Sequence, residues 1–119
     1  MRAQIVELRQ GFAKRGIAVV VVTDAGFKPD RQVSDIETVL AQNPSIIVSI
    51  PTDPVATPDA DARAAAQGVK LVFMDNVPKG MRADPGYVSV VSTDNYGNGL
   101  VAGLFIAQAL KGQDRVGLV

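Results

Sequence analysis

The sequence contains no cysteine, no histidine and no tryptophan. The missing cysteines exclude disulfides and thiolate metal sites, and they do not separate the cytosol from an export compartment. The missing histidines remove the commonest metal ligand and the commonest general base near neutral pH. Two tyrosines and four phenylalanines leave few stacking platforms. Neither sign of charge is in excess. Twelve basic and twelve acidic side chains give a formal net charge of zero, so nothing electrostatic points to nucleic acid or to an anionic membrane. There is no run of about 18 uncharged apolar residues and no n-region followed by an h-region.

What is present is apolar. Residues of that class make up 47% of 119, ample for a buried core in one domain or in a piece of a larger one. The organising stretch is 46–72. It reads as an apolar run (SIIVSI from 45), a proline-bounded, alanine-rich segment, and a second apolar run. Runs rich in Val and Ile that do not alternate with polar residues are strands covered on both faces, which in soluble proteins means a parallel sheet flanked by helices. The ends of the two runs, at Ile50-Pro51-Thr52-Asp53 and Met74-Asp75-Asn76, then fall on one edge, where open α/β sheets bind ligands.

In chain order, Ile5, Leu8 and Phe12 set a helix over 1–15, stopped by Gly16. Strands are expected at 17–22 (IAVVVV), 45–50, 69–74 and 87–91, with a fifth beginning at 115–119. Between them, helices are expected at 31–42 and after Pro54, with the apolar run 100–110 as a last helix. Asp53 with Pro54 or Thr57 with Pro58 could each start the third helix, and the sequence leaves both open. The stretch 75–86, with Pro78, Gly80, Pro85 and Gly86, reads as a long irregular loop.

Several site readings fail. Gly97, Gly99 and Gly103 make GxGxxxG, but a dinucleotide fingerprint needs its glycines directly after a strand, and Asp94 and Asn95 intervene. Small residues for close helix packing are the plainer explanation. Asp24 and Asp75 end strands, yet no adjacent acidic pair accompanies them to hold a divalent ion as in a phospho-acceptor site. No nucleophile elbow, P-loop or catalytic dyad is present. No catalytic residue, metal ligand or cofactor is expected, and the chain reads as a non-enzyme.

The ordered set QVSDIETVLAQNPSIIVSIPTDP, AAAQGVKLVFMDN and YVSVVSTDNYGNGLVAG resembles the periplasmic-binding-protein type 1 family, nearest to the ribose- and galactose-type sugar-binding proteins of bacterial ABC transporters. The resemblance implies a Rossmann-like lobe at 1–94 and, at 95–119, the hinge-crossing helix and first strand of a second lobe. It implies an extracytoplasmic setting, a small hydroxylated ligand held between two lobes, and a membrane permease as partner. Asp75 and Asn76 would contact the ligand, since a carboxylate with two oxygens can take adjacent hydroxyls in charge-assisted bonds. Thr93 would lie near it, and Asp94-Asn95 would form the hinge. The plainer alternatives are that Asp75 caps a turn within 76–79, and that Thr93 and Asp94 cap the helix after Asn95. Asn76 stands where ribose-type members often have arginine, and Ile50 where some have asparagine, so ligand identity does not carry over. The alternative function is the effector-binding domain of a LacI-type transcription regulator of the same fold; an enzyme of flavodoxin-like or Rossmann-like fold is the remaining one.

The resemblance further implies that a central strand between 17–22 and 45–50 is lacking. Three repairs are conceivable: the two strands pair directly, 115–119 moves into the vacancy, or a second chain supplies the surface. The expectation is that the last two act together in a swapped or otherwise intimate homodimer.

Overall fold

The computed structural model describes residues 2–118. Its elements run α1 (Arg2–Ala13), α2 (Pro29–Leu40), β1 (Ile46–Ser49), α3 (Pro58–Ala66), β2 (Lys70–Met74), β3 (Ser89–Val91) and α4 (Asn95–Ala109). The three strands form one parallel sheet in the order β1-β2-β3. Ile46 aligns with Lys70, and Val72 with Ser89. The chain is a parallel α/β fold, as the apolar runs predict.

The core sits where helices cover the sheet. Leu71 and Phe73 of β2 point inward with Ile47 of β1, against Ala64 of α3. Alanines at 60 and 64 are fully buried, so α3 lies close to the sheet. Phe73 meets Tyr87 edge to face, with ring centroids 5.6 Å apart. Of the two possible starts for α3, the chain uses Thr57 as N-cap with Pro58 in the first turn. Asp53 serves the preceding turn instead, accepting a 2.7 Å hydrogen bond from the Val55 N–H. Pro29 opens α2, two residues earlier than the apolar stripe predicts, because a proline at the first helical position gives up no hydrogen bond.

Three expectations are corrected. Residues 17–22 do not form a strand of the sheet. They pair with no strand, and residues 18–24 make no backbone–backbone hydrogen bond. A cavity of about 480 Å³ lies between this stretch and β1, so neither edge reaches the other. Direct pairing of the two is therefore not the arrangement found. Residues 115–118 are likewise not a strand and are exposed; they pair with nothing and do not enter the cavity of their own chain. Residue 119 lies outside the described residues. The fourth predicted strand shortens to Ser89–Val91, because Tyr87 is drawn into a turn by the Asp84 N–H, which donates to its carbonyl at 3.2 Å. None of the described helices is long and apolar enough to cross a membrane.

Candidate ligand-binding edge

The carboxyl ends of β1, β2 and β3 lie side by side because the strands are parallel and adjacent. The turns that follow them therefore share one edge. Asp75 leaves β2 with a left-handed backbone, φ +74°, a conformation that costs an aspartate less than most residues but still has to be held. It is held on both sides. Its N–H donates to the Val91 carbonyl at 2.9 Å, and its carbonyl accepts from the Ser92 hydroxyl at 2.7 Å. Its side chain makes no hydrogen bond among the described residues, and the residue is exposed. The carboxylate thus does not cap a turn within 76–79.

Asn76 is half-buried. Its Nδ2 donates to the Pro51 carbonyl across a long 3.3 Å, and its Oδ1 is buried without a partner. Thr52 is fixed from the other side. Gln32 of α2 accepts from the Thr52 N–H at 2.8 Å and its hydroxyl at 2.9 Å, while donating its own amide to the Ile50 carbonyl at 2.8 Å. Gln32 is a positioning residue that the sequence reading did not single out. The signal was available: it lies one turn before buried Ile36 and so shares its face, where a polar residue needs a reason.

Thr93, Asp94 and Asn95 lie just past β3. The Thr93 hydroxyl donates to Asn95 Oδ1 at 2.8 Å. Asp94 caps α4, accepting from the Gly97 N–H at 2.9 Å. A side chain added at Gly97 would collide with that carboxylate, so the glycine here serves the cap. The five predicted residues all sit past the ends of β2 and β3, with Asp75 and Asn76 beside the β1 turn and Thr93 to Asn95 engaged with one another and with α4.

One titrating group stands apart from this edge. Asp61 of α3 is fully buried, and neither carboxylate oxygen has a hydrogen-bond partner. Burial raises its pKa from 3.8 to about 6, and the Thr57 hydroxyl one turn away offsets this only in part, since it does not reach hydrogen-bond geometry with either oxygen. No group of three or more acidic residues able to hold a metal ion occurs among the described residues.

The comparisons with known proteins agree with this architecture. The family model described as a periplasmic binding protein domain matches residues 2–119. The ribose import binding protein of Bacillus subtilis (strain 168) is 34% identical over 110 residues, which is 88% of this chain and 34% of that protein. Among solved structures, the myo-inositol binding protein of Caulobacter, bound to myo-inositol, matches with a TM-score of 0.78 at 27% identity, over 90% of this chain and 35% of the other. A sugar-binding protein of a Bacillus halodurans sugar ABC transporter gives 0.72 at 25% identity, over 88% and 35%. The fructose-binding periplasmic domain of a hybrid two-component system shares the fold at 0.79 with 21% identity, over 94% and 36%. The chain spans about a third of the length of these relatives. Its parallel sheet, its polar edge and a family match from residue 2 to the end place it together with them: the chain belongs to the periplasmic-binding-protein type 1 family.

Proposed function

We propose that this chain supplies one ligand-contacting edge of a solute-binding protein that takes a small, hydroxyl-rich ligand of the monosaccharide or cyclitol class for a bacterial ABC transport or chemotaxis system. The observation that carries the reading is the state of Asp75. Its backbone is clamped at both its N–H and its carbonyl while its carboxylate is left exposed and unengaged, which is how a group meant to receive hydroxyls from outside is held. Asn76 adds an amide with an unpartnered Oδ1. Thr93 lies beside the ligand, and Asp94-Asn95 mark the crossing into a second lobe, so the domains divide as 1–94 and 95–119. The relatives are binding proteins for ribose, myo-inositol and sugars, which supports a binding role without catalysis, a permease partner and an extracytoplasmic location.

The test is calorimetry with pentoses, hexoses and inositols on the complete two-lobed protein. Asp75→Ala is expected to lower affinity at least roughly tenfold, because a charge-assisted hydrogen bond contributes about 1.5–3 kcal/mol. Unchanged affinity removes Asp75 from the site.

A further inference from the structure

We propose that this edge recognises its ligand by receiving hydrogen bonds, that it thereby selects uncharged polyols with hydroxyls free to donate, and that Thr52, set by Gln32, is a specificity-determining contact beside Asp75. The inference rests on the reading of the edge as ligand-binding, and adds to it a residue and a direction.

The direction follows from where the donors point. Gln32 Nε2 donates to the Ile50 carbonyl, and its Oε1 accepts from the Thr52 N–H, both at 2.8 Å. A peptide carbonyl can only accept and a peptide N–H can only donate, so these two bonds fix which end of the amide is which. The Thr52 hydroxyl also meets Oε1, at 2.9 Å. A hydroxyl has a single hydrogen, and against an amide oxygen that hydrogen is spent inward. What Thr52 Oγ1 has left to offer is lone pairs. Ser92 is in the same state, its hydroxyl donating to the Asp75 carbonyl at 2.7 Å. So is Thr93, which donates to Asn95 Oδ1 at 2.8 Å. Asn76 turns its Nδ2 to the Pro51 carbonyl. Asp75 adds an exposed carboxylate, which accepts and does not donate when ionised.

Charge sets the second limit. Residues 50–53, 75–76 and 92–95 include Asp53, Asp75 and Asp94 and no lysine or arginine. A phosphate or carboxylate brought here meets like charge and no hydroxyl hydrogen left to receive it. Each hydroxyl of a neutral polyol instead brings the hydrogen that these side chains lack. Thr52 is half-buried, and the bond from Asn76 to Pro51 fastens its turn to the turn of Asp75. One ligand can therefore face both acceptors.

The experiment is a double-mutant cycle read by calorimetry on the complete two-lobed protein. The probe is whichever of ribose, glucose and myo-inositol binds most tightly, beside its single deoxyfluoro derivatives, since a fluorine cannot donate a hydrogen bond. The parent is expected to lose at least roughly tenfold in affinity at more than one hydroxyl position. In Thr52→Val the loss at one of these positions should shrink to about threefold or less, whereas Thr52→Ser keeps it. A purely structural role for Thr52 would weaken the probe and its derivatives alike. Gln32→Met, which frees the Thr52 hydroxyl to turn outward, is expected to reduce the same loss, and thermal unfolding checks that each variant stays folded. Ribose 5-phosphate should not compete with the probe. Unchanged affinity in Thr52→Val, or the same fluorine loss in parent and variants at every position, overturns the proposal and leaves the binding reading of Asp75 standing. Competition by the phosphate overturns it too. If none of the three compounds binds the parent, the reading and the proposal fall together.

Discussion

Two apolar stretches of this chain, residues 17–22 and β2, have nearly opposite fates. IAVVVV is the more strand-like by composition, with four consecutive valines, whereas KLVFM begins with a lysine. Yet β2 lies in the middle of a ladder, with Leu71 1% and Phe73 0% exposed, while Ile17 is 47% and Val20 66% exposed. The difference is not in the residues. A ladder needs a second edge at hydrogen-bond distance, and β2 has one on each side. Strand propensity records how well a side chain fits a pleated, half-buried surface, and it cannot supply the surface. The same contrast separates the helices: α3 is buried against β2, while α4 exposes Leu100, Val101, Leu104 and Phe105.

This comparison can be broken most directly at Phe73. Phe73→Ala is expected to cost about 3–5 kcal/mol of stability, read by urea unfolding. A loss under about 1 kcal/mol would mean that β2 is no better supported than residues 17–22.

Asp61 tests the covered half for a built-in fault. Its folded-state pKa, about 6, lies above its ordinary 3.8, so the folded protein holds this proton more tightly than the unfolded chain does. The associated stability is fully present below pH 3.8 and is lost as pH rises through about 6. At ~1.4 kcal/mol per pKa unit the difference is about 3 kcal/mol. Asp61→Asn, which keeps the shape without the charge, is expected to be more stable than the parent at pH 7 and to lose that advantage toward pH 4. Parallel stability curves for the two proteins across this range would contradict it.

Smaller effects belong to the open half. Asp94→Ala removes the carboxylate that caps α4 at the Gly97 N–H and is expected to cost about 1 kcal/mol, visible as reduced helix content on mild heating. Val20→Ala is expected to change stability by no more than about 0.5 kcal/mol, since Val20 is exposed. A larger loss would show residues 17–22 to be packed more firmly than their exposure indicates.

Much of the fold was legible because its signals are local. Apolar runs gave β1 and β2 to within a residue or so at each end, and Pro58, one of the two starts the sequence offers for α3, opens that helix. Residues 17–22 and 115–118 were misjudged for a common reason: an apolar run says that a segment wants to be a strand, and only a partner far along the chain, or on another chain, decides whether it becomes one. At the edge, the positions of Asp75 and Asn76 followed from strand ends alone. The Gln32 bridge did not, because it joins residues 18 and 20 positions apart. Nor did the burial of Asp61, which looks in sequence like one of several acids along an alanine-rich surface helix.

The loops after β1 and β2 are fastened to each other twice. Asn76 Nδ2 donates to the Pro51 carbonyl, and the Lys79 N–H donates to the Pro54 carbonyl at 2.6 Å. Two separate loops would each have to surrender motion when something docks across them, at about 0.5–1.5 kcal/mol for every rotamer-rich side chain immobilised. Stitched together, they have given up much of that freedom before any ligand arrives. A ligand docking at this rim, as proposed, would meet two loops already held to each other. Loosening the stitch with Asn76→Ala should appear as faster exchange of the Lys79 amide, several residues away from the change.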